Sequence, residues 1–184
     1  YLMGTMMELN IHRFGFNKSL EQIFELNKAL DPNETYSQFK KKADNILLNY
    51  NRNYLETEYG LAISSSQNAA QWVRQKSEAN RYPYLKYQTI GDENVRASHR
   101  GLDGMIFRID DPSWRGIYPP NGYNCRCEMI QLPESLVDRK DIKKGDDAVG
   151  ALGEDWSKMV KTGFNKNRGE TKDIFDLNKT YIEG

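Results

Sequence analysis

The dipeptide Tyr82-Pro83 divides this chain into two kinds of sequence. Proline drives the residue before it out of the α region, and a helix rarely continues through it. Upstream, apolar residues recur at helical spacing. Downstream, aromatic and β-branched residues gather in short runs between glycines and prolines.

Three helices are predicted before that boundary. Ser19 and Gln22 have the spacing of a capping box, and Leu20, Ile23, Phe24, Asn27 and Leu30 follow on one stripe, so a helix is expected from Ser19 to near Leu30. "DPNE" then offers Asp31 as N-cap, Pro32 at the first helical position and Glu34 three after the cap. The helix it starts carries Phe39, Ala43, Ile46, Leu47 and Tyr50. A third is expected over residues 53–80 on Leu55, Tyr59, Ala62, Ala69, Trp72 and Val73, with Gly60 and the serines at 64–66 as places to kink.

After the boundary, "YLKYQTI" (residues 84–90) reads as a strand. "GDEN" turns the chain into a short helix over residues 95–102, which sets His99 on the same face as Arg96. "MIFRI" (105–109) is a short strand within a loop-rich segment, and "CEMIQL" (127–132) a closing strand. Beyond Pro133 a charged linker, a helix over residues 152–162 and a polar tail ordered only by docking are expected. The fold class is therefore α+β: a helical N-terminal half packed on a small, loop-rich antiparallel β-sheet unit, with a C-terminal helix. The expected organisation is a helical extension over 1–35, a central domain over 36–133, and linker, helix and tail over 134–184.

Composition narrows the function. A chain of 184 residues can bury a core without disulfides or metal. Its 26 basic and 26 acidic residues cancel, so no global field draws it to nucleic acid or to an anionic membrane. No apolar run reaches the roughly 20 residues that cross a bilayer, and a soluble protein is expected. The lysines at 40–42 read as a solvated helix face. Neither a Gly-x-Gly-x-x-Gly after a strand nor a His-Glu-x-x-His occurs.

The scarce chemical groups gather in residues 95–127, which hold both cysteines and one of the two histidines. His99, Cys125 and Cys127 are the donor set zinc favours, with Asp103, Asp92, His12 or water as the fourth ligand. The competing reading makes the cysteines small buried hydrophobes and His99 a hydrogen-bonded residue that locks the following loop. A disulfide between the two would close a very small, strained ring. Nothing marks an oxyanion hole or a third member beside a nucleophilic cysteine, so no catalytic residue is assigned. Arg126 is expected to pair with Asp103 or Asp92 and pin the loop. Gly104 suits a positive φ or a close backbone approach, "YPPNG" is a turn, and Trp114 and Tyr118 cover a small core.

The segment "YQTIGDENVRASHRGLDGMIFRIDDPSWRGIYPPNGYNCRC" resembles the core of the phage head morphogenesis family named after protein F of phage Mu. Members show an aromatic strand ending in Thr, Asp-x-x-Val-Arg-x-x-His-x-x-Leu-x-Gly, an aromatic in a loop, Pro-Pro and Cys-Arg-Cys. Here these are Thr89, Asp92, Val95, Arg96, His99, Leu102, Gly104, Trp114, Pro119, Pro120, Cys125, Arg126 and Cys127. The helical stretch with "ETEYG" matches more loosely, and residues 1–35 and those after Pro133 are not covered. The resemblance implies a minor head protein of a phage or prophage, located in the virion or the host bacterial cytoplasm. Its implied partners are the portal and other virion proteins, with DNA met indirectly or weakly during packaging or ejection, and no membrane. Some relatives carry the domain fused to toxin modules, so an enzyme-like effector acting on nucleic acid or a host protein, with His99 and Arg96 lining its pocket, is the alternative. A zinc-stabilised binding module is a further one. On the assembly reading Thr89, Asp92, Arg96, His99, Asp103, Gly104, Trp114, Pro120 and Arg126 organise the core, and no cofactor other than zinc is in question.

Overall fold

The computed structural model describes residues 2–53 and 55–174. Among these, residues up to Ala62 together with 173 and 174 form one compact unit, and Ile63–Lys172 form a second.

In the first unit, α1 (Leu2–Lys28) starts far upstream of the expected cap. Ser19 lies inside it, with its hydroxyl donating to the Gly15 carbonyl at 2.9 Å, so the capping-box spacing there marks no helix start. The stripe Leu20, Ile23, Phe24 and Leu30 is exposed, whereas Asn10 and Glu21 are buried. Glu58, on α3, pairs with Lys18, and Asn10 Oδ1 accepts the Ile174 N–H at 2.8 Å. Among the described side chains of α1, polar residues thus take buried positions where an apolar stripe was expected.

Helix α2 (Tyr36–Asn53) also starts later than "DPNE" suggested. Asp31 closes a turn by accepting the Asn33 N–H at 2.9 Å. The box is formed by Thr35 and Gln38: Gln38 Oε1 accepts the Thr35 N–H at 2.9 Å and Thr35 Oγ1 accepts the Gln38 N–H at 3.4 Å. Lys40 pairs with Asp44 and Lys42 with Glu34. The readings made for Tyr50 and Leu55 lie outside the described side chains.

Helix α3 (Leu55–Ser77) is continuous through Gly60 and the serines. From residue 63 on, it belongs to the second unit, and there Ser65, Ala69, Trp72 and Gln75 form its buried stripe. Tyr59 and Val73 are exposed instead.

The second unit is built on three antiparallel strands in the order β2-β1-β3: β1 (Tyr84–Gln88), β2 (Ile106–Arg108) and β3 (Glu128–Leu132). Leu85 stands opposite Phe107 on one side and Gln131 on the other. Because β1 is central, Tyr84, Leu85 and Tyr87 are all buried. Amide side chains fasten α3 to β3: Gln71 and Gln75 donate to the Met129 carbonyl at 3.1 and 3.0 Å, and Gln131 donates to the carbonyls of Gln75 and Tyr82. Two short helices, α4 (Ala97–Leu102) and α5 (Trp114–Ile117), interrupt the loops.

Edge-to-face rings fill the interior, running from Trp72 to Tyr118, Trp114 and Phe107 with centroids 4.9 to 6.4 Å apart. The α+β class with a small antiparallel sheet and C-terminal helices is thus the observed one.

The segment after Pro133 is more structured than a linker. Ile142 bridges Ile106, with the Lys143 N–H donating to the Ile106 carbonyl at 2.7 Å. Then α6 (Gly145–Leu152) buries Ala148 and Leu152. The expected helix is α7 (Glu154–Thr162), ended by Gly163 at φ 73°. The polar stretch beyond it docks through α8 (Arg168–Thr171), with Phe164, Asn167 and Arg168 buried. Charge and poor apolar content hid this, because the anchors are hydrogen bonds: Arg168 Nη1 donates to the Pro120 carbonyl at 3.3 Å.

Candidate functional site: a His-Cys-Cys cluster behind an arginine clasp

The site starts where β1 ends. Thr89 donates its N–H to Asp103 Oδ1 at 2.7 Å, and the Gly104 N–H donates to the Tyr87 carbonyl at 2.9 Å. Gly104 takes φ 78°, which an L side chain would strain. These bonds close the base of the loop that carries α4 and so fix its position. His99, on α4, is only 3% exposed.

The second arm runs from the buried prolines 119 and 120 through Asn124, at φ 56°, into β3. Successive side chains of this extended arm point in opposite directions. Cys125 and Cys127 both turn to His99, with their sulfurs 3.9 and 3.4 Å from Nδ1. Arg126 turns outward and grips Asp92 with both Nη atoms, at 2.7 and 2.9 Å. Arg96 reaches across to the Tyr123 carbonyl at 2.7 Å, and Arg100 donates to the carbonyls of Asp92 and Glu93 at 3.3 and 3.0 Å.

The two thiols are free, and their surroundings shift them in opposite directions. The neighbouring Cys127 side chain, more than His99, lowers the Cys125 thiol against the opposing effect of burial. Cys127 is pushed up by its bond to Cys125 and by burial. Tyr87, on the buried face of β1, has its hydroxyl raised by burial first and by the two thiols next. It donates to Asn121 Oδ1 at 2.9 Å. The guanidinium of Arg126 holds the Asp92 carboxyl below its usual range. Asp155, on α7, is held low by Lys158, then by Ser98, with a smaller contribution from His99.

The expected set therefore separates into parts with different jobs. His99, Cys125 and Cys127 meet, their donor atoms lying within 4.8 Å of one another. Asp92 takes Arg126, and Asp103 takes the Thr89 N–H, so neither carboxylate joins that group. His12 belongs to the other compact unit. Trp114 is core, 1% exposed, its Nε1 donating to the Arg108 carbonyl at 2.8 Å, and Pro120 contributes its carbonyl to Arg168.

Sequence reasoning missed Tyr87, Asn121 and Asp155. A phenol on an inward strand position signals a need for a polar partner, but Asn121 reads only as a turn residue and Asp155 as surface charge. Beside the cluster a space of about 20 Å³ is bounded by Ile90, Val95, His99, Asn124 and the Cys-Arg-Cys segment.

Comparison with known proteins agrees with this motif. The family profile described as Phage Mu protein F like protein matches residues 24–130. The Mu-like prophage FluMu F protein of Haemophilus influenzae is 32% identical over 119 residues, covering 59% of this chain and 29% of that protein. The putative capsid assembly protein F of Escherichia phage Mu is 36% identical over 78 residues, covering 42% of this chain and 18% of that protein. The chain thus spans under a third of the length of either relative. No solved structure matches it. With more than half its residues inside the profile, and with His99 and the Cys-Arg-Cys segment brought face to face, the chain belongs to the phage Mu protein F-like family.

Proposed function

We propose that this chain is part of a minor head protein of a phage or prophage. It acts in capsid assembly through contacts with the portal and other virion proteins, and meets DNA only indirectly. One observation carries the reading beyond family membership: the motif residues are spent on holding the fold. Asp92 and Arg126, Asp103 and Thr89, and Arg96 and Tyr123 bond to one another across the loops. The space left beside His99 is about 20 Å³, far below the ~300 Å³ at which small-molecule pockets begin. The balanced charge supports protein contacts over a polyanion. The name of the phage Mu relative, a putative capsid assembly protein, points the same way.

The test is co-expression of the full chain with the portal and major capsid proteins of its own phage, followed by isolation of procapsids. The chain is expected to co-fractionate with portal-containing particles and to be lost from portal-less shells. Its absence from both kinds of particle would contradict the proposal, as would growth arrest on expression that His99→Ala relieves.

A further inference from the structure

We infer that His99, Cys125 and Cys127 bind one zinc ion per chain through Nδ1 and the two Sγ atoms, with the fourth position facing the small space beside them and held by water. The inference does not depend on the assembly role.

Tetrahedral zinc with Zn–S bonds of about 2.3 Å and Zn–N bonds of about 2.05 Å needs S···N separations of about 3.5 Å. The two observed separations are 3.4 and 3.9 Å, and every pair of donor atoms lies within 4.8 Å. Hydrogen bonding alone does not account for that convergence. A neutral imidazole nitrogen carries either one proton or one lone pair, so Nδ1 serves one sulfur. Both sulfurs nonetheless close on the same nitrogen, and a shared cation explains both contacts.

The donor chemistry suits a soft metal. Neither thiol is tied up in a disulfide, and His99 and Cys127 are buried, where sulfur and imidazole face one another away from solvent. Soft sulfur with imidazole selects zinc over magnesium or calcium.

The neighbouring void of about 20 Å³ holds one water-sized ligand and nothing larger. Among the described residues no carboxylate completes the set. The ion would join α4 to the arm entering β3, across 26 and 28 residues of chain.

The experiment uses the full chain, purified without chelator from zinc-containing medium and assayed by elemental analysis. The zinc-free protein is then titrated with cobalt(II) and read by absorbance. Expected are about one zinc per chain, thiolate-to-cobalt charge-transfer bands, and a fall in Tm on chelation. Zinc is expected to be lost in Cys125→Ser and in His99→Ala and retained in Arg126→Ala, whose side chain faces away. The cobalt titration of the wild-type chain keeps the test decisive if a variant fails to fold. No stoichiometric zinc and no thiolate band at saturating cobalt would overturn the inference. So would copper in place of zinc, or zinc undiminished in both Cys125→Ser and His99→Ala.

Discussion

Arg126 and Asp92, 34 residues apart, meet fork to fork, with Nη1 to Oδ2 at 2.7 Å and Nη2 to Oδ1 at 2.9 Å. The pair is solvent-accessible, so its contribution to stability is small. Its value is orientation: with Arg126 fixed on the outside, the cysteines on either side must face inward to His99.

That geometry predicts how the clasp responds to acid. Asp92 titrates below the ordinary carboxylate range because Arg126 favours its charged form. A depressed folded-state pKa stabilises the fold above the unfolded carboxylate value, and this contribution is lost as pH falls through the folded one. Carboxyl NMR titration should therefore place Asp92 below a free aspartate, and Arg126→Ala should move it upward. An Asp92 titration unaffected by Arg126→Ala would mean that the clasp does not form in solution.

Tyr87 links β1 to the arm that carries the cysteines. Its hydroxyl is fully buried and donates to Asn121 Oδ1 at 2.9 Å. Tyr87→Phe removes that donor from a buried acceptor, and the expected loss is about 1–3 kcal/mol in denaturant unfolding. A cost near zero would show that water replaces the hydroxyl.

Trp114 is the centre of the ring stack, within 5.2 Å of Phe107 and 6.4 Å of Tyr118. Trp114→Ala should cost about 3–5 kcal/mol by thermal or chemical unfolding. Full retention of stability would place the ring outside the core.

Gly169 brings the C-terminal segment onto α3. A Cβ there would lie 2.5 Å from Trp72 Cδ1 and 2.7 Å from Trp72 Cβ, and the latter cannot rotate away. Gly169→Ala is expected to destabilise by about 1–3 kcal/mol through overpacking. An unchanged midpoint would show that this segment is not docked as described.

Much of the second unit is legible in its sequence. Strand β1 reads from its aromatic run, although it ends at Gln88 rather than Ile90 because the Thr89 N–H turns to Asp103, and α4 and β3 read from the turn signals that bracket them. The meeting of His99 with the cysteines is anticipated by composition alone, because no other soft donors lie in the segment. What sequence could not supply was the choice among equivalent partners. Arg126 had two carboxylates in reach of the argument, and the answer depended on Asp103 being taken by the Thr89 N–H. The helix boundaries at Ser19 and Asp31 failed for a related reason. Ser and Asp bond locally in turns and within helices as readily as at caps, and only the neighbouring turns decide which. The docked stretch around Asn167 and Arg168 lacks apolar periodicity, so its polar anchoring left no pattern to read.

Hydrogen exchange of the full chain, wild type against His99→Ala, tests most directly whether the buried imidazole holds this unit together. The amides of Tyr87 and Thr89, which bond to the Met105 carbonyl and to Asp103, should lose protection in the variant, together with those of α4. Protection at those amides equal to the wild type would contradict it and leave His99 a passenger in a loop that holds itself.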